Sequence, residues 1–211
     1  MSSSEIIRII IAACAAYLIG NINPAIIIGK IKGIDIRKEG SGNAGMTNTI
    51  RVMGLGAGIT VLAIDVLKAF ISVKFGYYLC GAGGAMAAFA GVVLGHCYPV
   101  FFGFKGGKGV AASLGAALAL NWPSACAALI VAGILFAVTR RMSLASLGGA
   151  LSYPLFIWHF SPVYLCFSIC AAAYLVFMHR ANIKRLLNGE EEVLTVGGKG
   201  HEKEQKNNES D

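Results

Sequence analysis

The chain has 211 residues, of which 56% are hydrophobic and only 14% are charged, and its mean hydropathy is +0.67. About a quarter of the residues in soluble globular domains are charged, so this composition argues against a soluble enzyme, a disordered chain and a nucleic-acid-binding domain. Residues 1–189 contain fifteen basic and four acidic residues, whereas residues 190–211 contain three basic and seven acidic ones. A basic, lipid-embedded body favours contact with anionic headgroups or a phosphorylated substrate.

Apolar segments follow one another along almost the whole chain. In chain order they are 9–28, 53–73, 75–94, 109–139, 144–160 and 163–178. A membrane-spanning helix needs about 20 residues, so the fourth segment is either one long helix or a hairpin that turns at Asn121-Trp122-Pro123. The hairpin is favoured because it leaves fifteen of the eighteen basic residues on one face, and positively charged loops stay in the cytoplasm.

With this hairpin, the loops 30–52, 95–108 and 140–143 and the C-terminal tail share the basic face. We therefore predict an all-α integral membrane protein with about seven transmembrane helices, its N-terminus outside and its C-terminus in the cytoplasm. Residues 1–189 would form the multi-span membrane domain. Residues 190–211 would form a polar cytoplasmic tail, which we expect to be disordered.

The first loop on this face, 33–51, combines glycines with polar side chains. Its glycines allow the backbone to approach a ligand closely, and Arg51 adds a planar guanidinium group that suits phosphate. The hydrogen-bonding side chains beside them are Ser41, Asn43, Thr47 and Asn48. The loop is a candidate anion site, although a flexible turn with an interfacial arginine would have the same pattern.

A second loop on the same face ends in Lys105-Gly106-Gly107-Lys108-Gly109. Glycines and lysines before a helix make an anion-binding loop, in which backbone N–H groups point at the ligand. It is not a nucleotide-binding P-loop, because Gly109 stands where Ser or Thr is required. Aromatic residues beside the loop suit the headgroup level of a membrane, so an interfacial anchor is the alternative interpretation.

Three further groups of polar residues interrupt the apolar pattern. Ser143 begins a predicted helix and is either a helix cap or a site residue. His179 and Asn182 share a helix face at the cytoplasmic end of the last span. Asp65 and Lys68, three residues apart within a span, are best explained as a neutralising pair that also fixes the orientation of the helix.

Taken together, these residues resemble a known family. The motifs are Gly-Ser-Gly-Asn-x-Gly-x-Thr-Asn-x-x-Arg at 40–51, Gly-His-x-x-Pro-x-Phe-x-x-Phe-Lys-Gly-Gly-Lys-Gly at 95–109, Ser-Leu-Ala-Ser at 143–146 and His-Arg-x-Asn-Ile-x-Arg-Leu at 179–186. Their order and spacing resemble the bacterial acyl-phosphate:glycerol-3-phosphate acyltransferases, the PlsY family, from about Gly20 to Gly189. Met46 replaces the family's usual alanine, and Asn21 stands where a serine is common. Neither change removes a charge or a nucleophile, so we expect activity to survive.

The resemblance implies transfer of a fatty acyl group from acyl phosphate to the sn-1 hydroxyl of glycerol 3-phosphate, which yields lysophosphatidic acid and phosphate. The active site would face the cytoplasm from the bacterial inner membrane. The expected partners are the two substrates and membrane lipid, without nucleic acid or nucleotide, and no metal or other cofactor is expected. The chain also lacks the His-x-x-x-x-Asp motif of acyltransferases that use acyl carrier protein or coenzyme A.

Within this reaction the site residues fall into two groups. The substrate-binding residues are Ser41, Asn43, Thr47, Asn48, Arg51, Lys105, Gly106, Gly107 and Lys108. The catalytic residues are His96, Ser143, His179 and Asn182. We assign one phosphate to the second loop, through its two lysines and the amides of its central glycines. The other phosphate is assigned to Arg51 with Ser41 and Asn43.

The catalytic group has two expected roles. Asn182 and Ser143 would donate hydrogen bonds to the oxyanion that develops on the acyl carbonyl. His96, His179 or an oxygen of a substrate phosphate would accept the proton of the attacking hydroxyl.

Two other classes of protein are alternatives for this sequence. A transporter for a phosphorylated anion would also have broken apolar helices, but it should carry polar residues near the midplane and on both faces. A structural membrane subunit would leave the four polar motifs unexplained.

Overall fold

The computed structural model describes residues 2–194, and all the regular elements in that range are helical. The helices are α1 (Ser3–Gly20), α2 (Pro24–Ile31), α3 (Met46–Met53), α4 (Leu55–Cys97), α5 (Val110–Leu120), α6 (Trp122–Thr139), α7 (Met142–Phe160), α8 (Leu165–Met178) and α9 (Arg180–Leu187). Short 3₁₀ turns occur at Val100–Phe102 and Pro162–Tyr164. The all-α prediction is confirmed for the part of the chain that the structure describes.

The helix α4 is a hairpin and not a straight rod. Cys80 (φ −154°, ψ 37°) and Gly81 (φ 54°, ψ −142°) interrupt its helical backbone, and the positive φ at Gly81 suits a residue without a Cβ atom. Nζ of Lys68 and Nδ1 of His96 lie 3.3 Å apart, whereas 28 residues of straight helix would separate them by about 42 Å. The two halves of α4 therefore run antiparallel, as their separate apolar segments predicted.

The helices α5 and α6 form a second hairpin. Asn121 ends α5, and its side-chain oxygen accepts a hydrogen bond from N of Ser124 at 3.0 Å, which caps α6. Its amide nitrogen donates to Oγ of Ser161 at 2.7 Å, which ties this turn to the one between α7 and α8. Val110 at the start of α5 and Phe136 near the end of α6 line the same pocket. The turn predicted at this point is present, although α5, with 11 residues, is shorter than a helix that crosses a bilayer.

Small residues let α1 pack closely against the second half of α4. A Cβ atom at Gly20 would lie 3.0 Å from Cα of Gly95, and one at Gly91 would overlap the carbonyl of Ala13. Such close backbone contact is typical of helix packing in membranes, where small side chains increase van der Waals contact. It also brings the end of α1 to the residues of α4 that carry the polar site.

The outside of the bundle is apolar. Ile10, Ile134 and Leu155 are 55%, 60% and 65% exposed, which favours lipid and not water as their surroundings. The helical segments long and apolar enough to cross a membrane are Ser3–Ile31, Leu55–Phe102 and Trp122–Thr139, and the bent pair Pro162–Met178 and Arg180–Leu187 makes a fourth. Leu55–Phe102 contains the α4 hairpin and therefore passes along the bundle twice.

Candidate active site

A pocket of about 400 Å³ lies at the end of the bundle where the motif loops meet. We call the part lined by α3, the residues before α5, the start of α7 and α9 the polar end. The apolar end continues between α5, α6, α7 and α8, as far as Phe89, Ala117, Ala125, Tyr153 and Ala171. Charged groups at one end and an apolar cavity at the other suit a ligand with an anionic head and a hydrocarbon chain.

The structure brings most of the predicted site residues together around this pocket. The predicted residues that line it are Ser41, Asn43, Thr47, Asn48, Arg51, His96, Lys108, Ser143, His179 and Asn182. Those that do not line it are Lys105, Gly106 and Gly107. Four motifs that are far apart in the sequence therefore form one site.

The glycine-rich loop binds α4 and not a ligand. The N–H of Gly106 donates to the carbonyl of Cys97 at 3.1 Å, and that of Gly107 to the carbonyl of His96 at 3.2 Å. These carbonyls belong to the last turn of α4, where a helix leaves its acceptors unpaired, so the predicted amide cradle does not form. A Cβ atom at either glycine would overlap His96, which explains the need for glycine. Lys105 is exposed and lies outside the pocket.

This loop instead places Lys108 in the pocket. Nζ of Lys108 donates to Oδ1 of Asn182 at 2.5 Å. Burial lowers the pKa of Lys108 to about 8; repulsion from Arg185 and Arg51 contributes, and attraction to Glu191 partly opposes the shift. An ammonium group has three hydrogens, so one bond to a neutral amide leaves donors for an anionic ligand.

Glu191 is a site residue that the sequence reasoning missed. Its carboxylate is 8% exposed and accepts hydrogen bonds from Nδ2 of Asn182 and from Nε of Arg185, both at 2.7 Å. Burial alone would raise the pKa of Glu191, but these bonds outweigh burial and the net shift is downward. The carboxylate is therefore ionised at neutral pH and orients both partners.

The segment 190–194 holds Glu191 in this position. The N–H of Glu190 donates to the carbonyl of Arg185 at 2.8 Å, and that of Leu194 donates to the carbonyl of Arg140 at 2.9 Å. The polar tail predicted for 190–211 thus begins with residues that pack on the site, and residues 195–211 lie outside the described range. In the sequence, Glu191 is one of three consecutive glutamates after the last motif, and only the fold separates it from its neighbours.

Arg51 lies in the last turn of α3 and faces the pocket. Its guanidinium group pairs with Oε2 of Glu192 at 3.0 Å, and the Glu192 side chain is 70% exposed. Such exposed ion pairs contribute little, about 0–1 kcal/mol. A ligand phosphate that forms two hydrogen bonds with Arg51 would therefore displace Glu192 readily.

Asn48 organises the first loop. Its side-chain oxygen accepts from N of Ser41 at 2.9 Å, and its amide nitrogen donates to the carbonyls of Ile36 at 3.1 Å and Glu39 at 2.9 Å. With these bonds made and its side chain buried, Asn48 positions the loop that presents Ser41 to the pocket.

Ser143 and His179 supply a donor and an acceptor at the polar end. The Ser143 hydroxyl is buried and makes no hydrogen bond of good geometry among residues 2–194, but it lies near enough to the Glu191 carboxylate to help lower the pKa of that group. Nδ1 of His179 bonds to the carbonyl of Leu175 at 2.8 Å; since a carbonyl only accepts, Nδ1 carries the hydrogen and Nε2 is left as an acceptor. Burial is the main cause that lowers the pKa of His179, so its ring is neutral near pH 7.

His96 belongs to a buried ionic cluster. Oδ1 of Asp65 lies 2.7 Å from Nζ of Lys68 and 3.2 Å from Nδ1 of His96. Nζ of Lys68 also donates to the carbonyls of Gly20 at 3.0 Å and Ile22 at 2.6 Å, which lie where the helical structure is interrupted between α1 and α2. The predicted pairing of Asp65 with Lys68 is confirmed, and His96 is an additional member that spacing alone did not indicate.

Comparisons with known proteins show the family to which the chain belongs. The family model described as glycerol-3-phosphate acyltransferase matches residues 10–189. A glycerol-3-phosphate acyltransferase from Thermoanaerobacter sp. (strain X514) is 43% identical over 189 residues, which cover 88% of this chain and 95% of the relative. One from Clostridioides difficile (strain 630) is 42% identical over 198 residues, with 90% and 97% coverage.

A solved structure has the same fold. It is PlsY (YgiH), described as an integral membrane glycerol 3-phosphate acyltransferase in its glycerol 3-phosphate form, and it is 38% identical to this chain. The TM-score is 0.85, with 89% of this chain and 96% of that chain covered. The fold and its apolar surface thus define an all-helical integral membrane protein. The chain belongs to the glycerol-3-phosphate acyltransferase family.

Proposed function

We propose that this protein transfers a fatty acyl group from acyl phosphate to the sn-1 hydroxyl of glycerol 3-phosphate. The products would be lysophosphatidic acid and inorganic phosphate. The observation that carries the proposal is the pocket, which joins basic side chains to an apolar cavity within a bundle that has an apolar outer surface. The similar PlsY structure is described in one form as bound to glycerol 3-phosphate and in another as bound to lysophosphatidic acid, which supports the same acceptor here.

Two phosphates need two groups of cations. We assign one phosphate to Lys108, supported by Arg185, and the other to Arg51 with Ser41 and Thr47 beside it. In the described structure these cations face an amide or carboxylates of the chain itself. Because a doubly charged phosphate makes stronger charge-assisted hydrogen bonds than a neutral amide, substrate binding would redirect them.

The chemical step needs a donor and a base. The acceptor hydroxyl attacks the acyl carbon, the bond from that carbon to the phosphate oxygen breaks, and phosphate leaves with the electron pair. The buried Ser143 hydroxyl would donate to the developing oxyanion. Nε2 of His179 or a phosphate oxygen would accept the hydroxyl proton. His96 is the weaker candidate for the base, because its ring packs between Asp65 and Gly107.

The proposed location is the bacterial inner membrane, with the polar end of the pocket in the cytoplasm. Seven passes follow if α1, both halves of α4, α5, α6, α7 and α8 each cross the bilayer, with the N-terminus outside. The basic residues of the motif loops support this orientation, since positively charged loops stay in the cytoplasm. A water-soluble phosphate and an amphipathic acyl donor would then meet at the interface.

The decisive experiment is an assay of the full chain purified in detergent. Palmitoyl phosphate and glycerol 3-phosphate should give phosphate and lysophosphatidic acid in equal amounts, without acyl carrier protein, coenzyme A or an added metal. Ser143→Ala, which changes the proposed site, should lose activity. Ser152→Ala on the same helix, outside the pocket lining, is its matched control and should keep it. Faster turnover with palmitoyl-coenzyme A than with palmitoyl phosphate would contradict the proposed donor.

A further inference from the structure

The apolar end of the pocket is closed. Phe89 and Tyr153 line it and are 3% and 7% exposed. The ring of Phe89 is held edge-to-face against Phe167, with centroids 5.1 Å apart. Beyond them the core continues through Ile157 and Tyr164, which are also buried. At this end the cavity terminates at two buried aromatic rings, whereas Leu129 and Gly133, which line its side on α6, are exposed.

The sides of this cavity are lined by small residues. The buried alanines along it are Ala117, Ala125, Ala128, Ala145 and Ala172. Alanine side chains are short and apolar, so they leave an apolar space between the helices. The rings of Phe89 and Tyr153 lie at the deep end of this space, in the path of a hydrocarbon chain that enters from the polar end.

The depth of the cavity corresponds to one acyl chain. Ser143 lies at its polar end and Tyr153 at its closed end, ten residues apart on α7, which is about 15 Å of helix. The hydrocarbon core of a bilayer is about 30 Å thick, so the chains of one leaflet occupy about half of that. A side chain on α7 leans towards the N-terminus of its helix, which directs the ring of Tyr153 towards the cavity.

On this basis, and resting on the proposed function, we propose that Tyr153 limits the length of the acyl chain that the enzyme accepts. The terminal methyl group of an accepted acyl chain packs against the ring of Tyr153. An acyl chain longer than the cavity meets the ring before its phosphate reaches Lys108. The phenol hydroxyl has no hydrogen-bond partner among the described residues, so the aromatic ring is the part of Tyr153 that sets the limit.

The test is a chain-length series of acyl phosphates from decanoyl to stearoyl with wild type, Tyr153→Ala and Tyr153→Phe. Each buried methylene group contributes about 0.8 kcal/mol, or roughly fourfold. Tyr153→Ala should therefore move the optimum of kcat/KM to chains two or more carbons longer and favour them by about tenfold. Tyr153→Phe should keep the wild-type profile. Leu155→Ala, which faces outwards on the same helix, is the matched control.

A second variant tests the opposite direction. Ala172→Leu narrows the cavity before its end, so the optimum should move to shorter chains in folded protein. An unchanged profile in both Tyr153→Ala and Ala172→Leu would overturn the inference, because the chain would then leave the pocket sideways past the half-exposed Leu129.

Binding separates this inference from the proposed donor. The affinities of lysophosphatidic acids with the same chain lengths are measured for the same variants, without any acyl donor. If acyl phosphates fail as donors but Tyr153→Ala still shifts the binding optimum to longer chains, the proposed reaction fails and the role of Tyr153 holds. If acyl transfer occurs and neither profile shifts, the proposed reaction holds and the role of Tyr153 fails.

Discussion

Asn182 accepts a hydrogen bond from Nζ of Lys108 at 2.5 Å, although the two residues are 74 positions apart. This contact fixes the orientation of the amide: Oδ1 faces the lysine and Nδ2 donates to Glu191 at 2.7 Å. An amide nitrogen has two hydrogens, so one N–H of Asn182 is left for an oxyanion. Asn182 thus positions Lys108, and in the proposed reaction its second N–H would be the donor to the oxyanion.

Replacement of Asn182 should therefore impair catalysis more than folding. Asn182→Ala removes one bond to the Lys108 ammonium group and one to the Glu191 carboxylate, and bonds to charged groups contribute about 1.5–3 kcal/mol each. We expect kcat/KM for both substrates to fall by roughly ten- to several-hundredfold. The measurement is steady-state kinetics normalised to folded protein. Asn188→Ala, on an exposed turn, is the control, and an equal loss there would remove the special role of Asn182.

The pH dependence of the enzyme should report Lys108. Its pKa in the free protein is lowered to about 8, so the group is charged below that pH and loses its charge as the pH rises through it. Only the charged form attracts a phosphate, and kcat/KM follows the pKa values of the free enzyme. We expect a plateau in kcat/KM between pH 7 and about 8, followed by a tenfold fall for each further pH unit.

Lys108→Arg provides the control for that profile. A guanidinium group stays charged across this range, so the fall near pH 8 should disappear even if the plateau is lower. The same fall in Lys108→Arg and wild type would assign the titration to another group. His179 is not that group, because the downward shift of its pKa places its titration on the acidic side.

Glu191 should affect both stability and catalysis. Glu191→Ala leaves Asn182 and Arg185 without their acceptor and releases the segment 190–194, so the melting temperature and kcat/KM should both fall. Glu191→Gln keeps an acceptor of the same shape but loses the charge, and we expect a smaller loss of stability. The neighbouring Glu190 is exposed, and Glu190→Gln should behave as wild type. Normal kinetics in folded Glu191→Ala would exclude a role in the site.

The local motifs predicted thirteen site residues, of which ten line the pocket, but they did not predict all of the partners of these residues. Arg51, Ser143, His179 and Asn182 are unusual for an apolar chain, so they were candidates for a site, and the family resemblance favoured that interpretation over a helix cap or an interfacial arginine. The sequence did not indicate the contacts between segments that are far apart along the chain, because these contacts depend on the fold. The amides at 106–107 looked free for a ligand, and only the docking of this loop on the end of α4 shows that they are occupied.

The same limit applies to acidic residues. The Asp65–Lys68 pair was predictable, because two charges one helical turn apart in an apolar segment neutralise each other. The role of Glu191 was not predictable, because it lies in a run of three glutamates, which is typical of a solvated tail. Its burial depends on the backbone bond from Leu194 to Arg140, which no spacing rule predicts.

The orientation in the membrane can be tested by cysteine labelling in a background without the six native cysteines. Lys105→Cys lies in the second motif loop. Tyr78→Cys and Trp122→Cys lie at the turns of the two hairpins, where the native Tyr78 and Trp122 are 86% and 67% exposed. A membrane-impermeant reagent should label Tyr78→Cys and Trp122→Cys from outside intact cells and Lys105→Cys only after lysis. The reverse pattern would invert the proposed topology.

The buried cluster around Asp65 makes the strongest prediction about stability. Asp65 is fully buried, and its Oδ1 is the anion that balances Lys68 at 2.7 Å. Removal of one partner from a buried ion pair leaves an uncompensated charge, which destabilises a protein by about 3–5 kcal/mol. Asp65→Asn should therefore lower the melting temperature in detergent strongly, and it should also weaken activity by weakening the contact at 3.2 Å that holds Nδ1 of the His96 ring.

The double variant Asp65→Asn with Lys68→Met tests the cause. It removes both charges, so much of the stability lost in Asp65→Asn should return, because no unpaired ion remains in the bundle. The Lys68 ammonium group also donates hydrogen bonds to the carbonyls of Gly20 and Ile22. Because Lys68→Met removes these bonds, the connection between α1 and α2 should stay weakened and the stability should return only in part. The measurement is a double-mutant cycle of melting temperatures. If the double variant is no more stable than Asp65→Asn, the loss comes from the missing hydrogen bonds and not from the unpaired charge.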